Sequence, residues 1–275
     1  MIKINKSATP PSILATKGAK KTAKLKAAYK KYTGSGLSGK GKHIAMHFDK
    51  KIYGDSTVKE QLKKDQHGKC CYCEASFTGN SDGVVEHFRP KAAYVKKDER
   101  KYTYPGYYWL AYEWSNLMFS CAVCNTNYKK NHFPLNSESS RKPNHIHSNP
   151  LEEEDRLLIH PTEEDPAGFI TFREEVPVAI DGNLKGQTSI EVFGLERLND
   201  SRLEHLNCLK VILPLANIDE TNPLEVEDTA KALHIPPGDA VKTIREAKEL
   251  YHFAAKDSAE FACCARCKFP GLPVG

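Results

Sequence analysis

The chain has 275 residues, 40% hydrophobic and 27% charged, with a formal net charge of +5. That length and balance suit a globular protein with a sizeable core, and no apolar run approaches the roughly 18 residues a membrane helix requires, which excludes a membrane-spanning class. The first 30 residues contain lysines but no apolar segment of signal-peptide length, so a cytoplasmic location is expected, where the nine cysteines favour metal binding over disulfides.

Four regions follow in chain order. Residues 1–60 form a basic N-terminal arm: fourteen lysines stand against Asp49, Asp55 and Glu60, a local net of +11. Such a charge excess suits a polyanion, nucleic acid above all, although a solvated lysine-rich helix that touches nothing would look the same. Within it KGAKKTAKLKAAYKKY, rich in Ala and Lys, predicts a helix that the glycines of TGSGLSGKGK would stop. Residues 61–135 are rich in Cys, His and aromatics and open with a predicted helix, TVKEQLKKDQHGK. Residues 136–205 are rich in loops, with β-prone runs around DGN that suggest a hairpin, then a helix. Residues 206–275 read as helical, with Pro236 and Pro237 separating two of the helices.

The strongest motif is a pair of C-x2-C spacings, Cys70 and Cys73 in KCCYCE and Cys121 and Cys124 in SCAVCN. A two-residue gap lets a tight turn aim both sulfurs at one ion, so the two pairs supply four thiolates for one structural Zn²⁺. The 47 residues between the pairs exceed what a zinc ribbon needs, and they contain GVVEHFRPK and YYWLAYEWSNL. The order CYCE, VVEHFRPK, WSNL, CAVCN resembles the HNH endonucleases, whose ββα-metal core holds one catalytic divalent ion. The likeness covers about residues 67–135. EHFRPK, YYWLAYEWSNL and CNTNYKKNHFPL narrow it to the HNH endonucleases of retron-associated and Septu-type (PtuB-like) antiphage systems, and LLIHPTEEDPAGFITF with TSIEVFGLERLNDSR extends it to about residue 205.

The resemblance implies an α+β fold: a ββα-metal core with a four-cysteine zinc knuckle, flanked by the basic arm and a mainly helical C-terminal region. It implies a phosphodiester hydrolase with His87 as general base, which an imidazole pKa near 6.5 suits. Glu86 would bind a catalytic Mg²⁺ or Mn²⁺, and Asn116 would hold His87 through its backbone or ring. Asn125 occupies the position of the motif's third residue, often a histidine, and Asn127 or His132 stands near enough in sequence to complete the metal shell instead. Arg89, Lys91, Lys129 and Lys130 are candidate phosphate contacts. Nucleic acid, DNA with RNA as the alternative, and a PtuA-like ABC-type ATPase are the implied partners; no membrane is.

Several residues carry plainer alternatives. His87 alone could be a hydrogen-bonded structural histidine and Asn116 a turn residue. The aromatic run from Tyr102 to Trp114 reads as core packing before base stacking, and His145 and His147 read as loop residues. CCARC, Cys263 to Cys267, repeats the C-x2-C spacing without an evident partner pair and leaves a second zinc site open. The competing function is a non-catalytic zinc module that binds nucleic acid or protein, which would have no use for Glu86, His87 and Asn116 together.

Overall fold

The structure, a computed structural model, describes residues 1–34, 46–77, 79, 82–147 and 151–272. It combines helices with two small antiparallel sheets of two strands each. The chain divides into two compact units, Met1–Ile170 with Val178–Leu195, and Thr171–Pro177 with Glu196–Gly275. Among the described residues no helix is long and apolar enough to cross a membrane.

In the first unit a wide-turned helical segment, Leu14–Gly18, leads into α1 (Ala19–Gly34), the predicted basic helix. Residues 35–42 of the glycine-rich stretch expected to stop it lie outside the described residues. Two short helices follow, α2 (Lys50–Tyr53) and α3 (Ser56–Asp65), each opened by an aspartate. The Asp49 carboxylate accepts from Lys51 N at 2.9 Å and that of Asp55 from Thr57 N at 3.0 Å, satisfying amides that a helix start leaves without partners. Leu14, Leu25, Ile52, Val58 and Leu62 pack with Tyr108, Ala111, Tyr112, Leu117 and Phe119 in one apolar cluster. The residues read as an arm are therefore built into this unit, because their few apolar side chains fall where they can be buried. Lys20 and Lys24 remain exposed.

β1 (Val84–His87) pairs antiparallel with β2 (Leu117–Ser120), in a register that sets Glu86 opposite Met118 and His87 opposite Leu117. The β-branched Val84 and Val85 favour the extended entry. Gly83 precedes them at φ +61°, and a Cβ there would come within 2.5 Å of the Phe119 ring and 2.6 Å of the Phe77 ring. Only glycine meets both conditions. Most of the aromatic run between the strands is core, with Tyr107, Tyr108 and Tyr112 buried. Tyr102 and Tyr104 are exposed instead.

α4 (Leu151–Asp155) follows, and the predicted hairpin forms as β3 (Ile170–Arg173) and β4 (Val176–Ala179). Its turn lies at Glu174 and Glu175, not at DGN, since Glu174 adopts φ +55° and Asn183 is taken up elsewhere. The Asn183 amide oxygen accepts from Gly186 N at 3.0 Å and so caps α5 (Leu184–Phe193). That helix ends at Gly194, φ +59°, where a Cβ would fall inside the Tyr128 ring.

The second unit takes in the tip of the β3–β4 hairpin, Thr171–Pro177, and the helices α6 (Asn199–Ala216), α7 (Pro223–Leu233), α8 (Pro237–Phe253) and α9 (Ala262–Lys268). Pro237 starts α8, where a missing N–H costs nothing. Val226, Ala230, Ala240 and Ile244 form a core between α7 and α8. The Arg202 guanidinium is buried against the Phe172 and Phe261 rings, at 5.1 and 5.6 Å.

Candidate active site

The four predicted cysteines converge. Cys70, Cys73, Cys121 and Cys124 bring their sulfurs within 4.8 Å of one another, and all four are thiols. The first pair sits on a tight knuckle in which Cys70 N donates to Ala75 O at 3.1 Å and Glu74 N to Cys70 O at 3.1 Å. The second pair leaves the end of β2, with Cys73 Sγ and Cys121 Sγ 4.0 Å apart. A tetrahedral zinc with Zn–S bonds near 2.3 Å needs sulfurs roughly 3.8 Å apart, so this group can hold a metal ion such as zinc. Among the described residues no other set of three or more His, Cys, Asp or Glu side chains converges in this way, CCARC and HIH included.

Beside it lies a cleft of about 510 Å³ lined by Glu86, His87, Lys91, Asn125, Lys130 and Asn131, and from the N-terminal segment by Lys50, Tyr53 and Lys59. β1 delivers Glu86 and His87 at its end, both about 95% buried, with exposures of 4% and 5%. One Glu86 oxygen, Oε1, accepts from Lys129 Nζ at 2.9 Å and from the Tyr72 hydroxyl at 3.2 Å. The other, Oε2, accepts from Asn125 Nδ2. Lys129 also donates to the His87 carbonyl at 2.8 Å, so this fully buried lysine fastens both residues of the pair. Removing its charge would leave the carboxylate buried without a counter-ion, a loss of about 3–5 kcal/mol.

The His87 ring is held on three sides. Its Nε2 lies 3.0 Å from the Ala111 carbonyl oxygen, which accepts only and so requires the proton on Nε2. Nδ1 is left as the lone-pair nitrogen and accepts from Lys91 Nζ at 3.2 Å. The Tyr53 ring meets the imidazole edge to face at 4.7 Å. Burial, then the positive charges of Lys91 and Lys129, push the His87 pKa well below its ordinary value. Burial lowers Lys91 to about 8.

Asn116 acts one step away from its expected partner. Its Oδ1 accepts from Arg89 N at 2.8 Å, while Nδ2 donates to Arg89 O at 3.0 Å and Leu110 O at 3.1 Å. It clamps the chain just beyond His87 to the chain just before Ala111, and thereby fixes the two ends of the His87–Ala111 bond without touching the ring. Asn125 lies in the cleft against Glu86. Asn127 and His132 do not: they line a smaller hollow with Tyr128 and Glu191.

The four candidate phosphate contacts part company. Lys91 and Lys130 line the cleft. Arg89 is buried and turned inward onto Glu152 at 3.3 Å and Glu153 at 2.6 Å. Lys129 is spent on Glu86 and the His87 carbonyl. Lys50, Tyr53 and Lys59 were missed by sequence reasoning, which had assigned them to a general basic arm; the helix-start signal at Asp49 was the only local hint that KKIY is structured.

A four-sulfur group able to hold a metal ion, and beside it a lysine-lined cleft around a Glu–His pair, thus sit in a mixed helix and small-sheet architecture. Over 153 residues the chain is 42% identical to the Septu protein PtuB of Bacillus mycoides (strain KBAB4), covering 54% of this chain and 50% of that protein. It is also 27% identical over 136 residues to the Septu protein PtuA of the same strain, covering 50% of this chain and 18% of that protein. These likenesses show the resemblance to the Septu-type antiphage family; the chain spans about half the length of PtuB and less than a fifth of PtuA. No protein-family profile and no solved structure matches it.

Proposed function

We propose that the chain is an HNH-type endonuclease that hydrolyses nucleic-acid phosphodiester bonds, DNA first with RNA the alternative, as the nuclease effector of an antiphage system working with a PtuA-like ABC-type ATPase. The observation that carries this reading is the orientation of His87: its Nε2 proton is committed to Ala111 O, and its Nδ1 lone pair sits in the cleft beside Lys91. Nδ1 accepts the proton of the attacking water, and the depressed pKa keeps it unprotonated and ready at neutral pH. Lys91 and Lys130 hold the non-bridging phosphate oxygens. Lys91 leaves Nδ1 for the phosphate when substrate arrives, which frees the nitrogen for water.

The four thiolates would hold a structural Zn²⁺. Glu86 Oε2 and the Asn125 amide, side by side on the cleft wall, would hold the catalytic Mg²⁺ or Mn²⁺ once the amide turns to present its oxygen. One carboxylate and one neutral oxygen suit a hard ion that keeps several waters. When bound, that ion neutralises charge on the scissile phosphate and the leaving oxygen. Lys129, on the opposite oxygen of Glu86, orients the carboxylate.

A non-catalytic zinc module is the second reading, favoured by one observation: both Glu86 oxygens already have protein partners. The test is to purify the chain alone and with its ATPase and to assay plasmid and cellular RNA with Mg²⁺, wild type against His87→Ala. On our reading His87→Ala retains zinc and binding while cleavage falls about a hundredfold or more. Wild-type cleavage by a folded His87→Ala protein would end this mechanism. Wild type that binds nucleic acid but cuts neither substrate in either combination would favour the second reading.

A further inference from the structure

The connection that follows the cleft's rim carries a basic and aromatic group that the hydrolytic site does not use. Val95 N donates to Asn131 O at 2.8 Å and Phe133 N to Val95 O at 3.0 Å, which seats this segment beside the residues that follow Lys130 on the cleft wall. One strand spacing further out, Tyr94 and Thr103 exchange hydrogen bonds of 3.1 and 2.8 Å and close the loop of residues 96–102. The loop is therefore rooted on the cleft, with Tyr102 on the order of 10 Å from Asn131 by strand geometry.

Its composition is unusual for a solvated connection. Tyr102 and Tyr104 are 55% and 43% exposed, although the aromatic residues just after them are buried. Their rings meet edge to face at 6.5 Å and 64°. Lys97, Arg100 and Lys101 are exposed around them, Lys96 is paired with Glu99 at 3.7 Å, and Asp98 is the one acid left over. A tyrosine face stacks on any base that is not already stacked in a duplex, and the flanking cations hold the backbone that brings it there.

We propose that this loop is a single-strand binding platform: Tyr102 and Tyr104 stack unpaired bases that flank the phosphate seated at His87, while Lys97, Arg100 and Lys101 track the strand. The platform rests on the nuclease reading and narrows its substrate to nucleic acid with an unpaired segment beside the cut. The experiment measures binding rather than cleavage, so the two readings fail separately. Wild type, Tyr102→Ala/Tyr104→Ala and Tyr102→Phe/Tyr104→Phe are titrated, without added divalent ion, against a fluorescein-labelled 20-nucleotide strand and its blunt duplex. The alanine pair should bind the strand on the order of tenfold more weakly and the duplex as wild type does, with the salt slope unchanged because every cation that meets a phosphate is still in place. The phenylalanine pair should bind both like wild type. Equal strand affinity for wild type and the alanine pair, an equal loss on strand and duplex, or no binding of the strand by wild type would each overturn the proposal. Loss of cleavage in His87→Ala, or its absence, leaves this comparison untouched.

Discussion

His87 is buried as a neutral ring, and neutrality has a thermodynamic cost that depends on pH. Its pKa in the folded protein is depressed by burial, and His160, fully buried near Arg156 and Arg89, is depressed for the same reasons. In the unfolded chain both histidines return to about 6.5 and bind protons that the folded protein refuses. The unfolded state then holds more protons, so stability is fully present above about pH 6.5 and declines as the pH falls below it. The melting temperature should drop between pH 7 and pH 5. A flat profile over that range would mean that the two rings are protonated in the folded state, and that Nδ1 of His87 is not the free base its bonding indicates.

At the level of elements, α1 illustrates how much one segment can hide. Its Ala- and Lys-rich composition was legible as a basic helix, and its exposed Lys20 and Lys24 keep that role available. Its burial against Tyr108 and Tyr112 was not legible, because Leu25, like Leu14 just before the helix, acquires meaning only from partners distant in the sequence. Neutralising Lys20, Lys21, Lys24 and Lys26 should leave folding intact, since none of the four is buried. Nucleic-acid affinity should weaken, and its dependence on salt should flatten by roughly one unit of slope for each phosphate no longer neutralised. An unchanged slope in a titration from low to high salt would assign the face to something other than a phosphate backbone. The same contrast runs through the site. The C-x2-C pairs and the Glu86–His87 dipeptide announce themselves locally through spacing and side-chain chemistry. The inward turn of Arg89 depends on Glu152 and Glu153 and leaves no local trace, while for Tyr53 Asp49 signals a helix start but not the packing that brings its ring onto His87.

For the whole molecule, each unit has its own apolar cluster, and the four-cysteine group lies in the first. The first gathers the four cysteines from segments 47 residues apart, so a metal held by them would contribute its binding free energy directly to folding there. The second has its own apolar core between α7 and α8 and holds no cysteine of that group. Removing metal with a strong chelator should therefore melt the first unit at a lower temperature and leave the helical signal of the second. Calorimetry should resolve a shifted and an unshifted transition. Replacing Cys121 with Ser should have the same effect without chelator, and a single transition that moves as one would show that the units unfold together.

The contact of Gly194 with Tyr128 bears on heredity. The segment Val123–Lys129 that carries Asn125 and Lys129 rests, through Tyr128, on a position that tolerates no side chain at all. Every missense change in the Gly194 codon adds atoms where the tyrosine ring lies and adds strain at φ +59°. Random mutagenesis selecting for loss of activity should thus return Gly194 alleles, many of them temperature-sensitive, from a codon whose residue does not line the cleft.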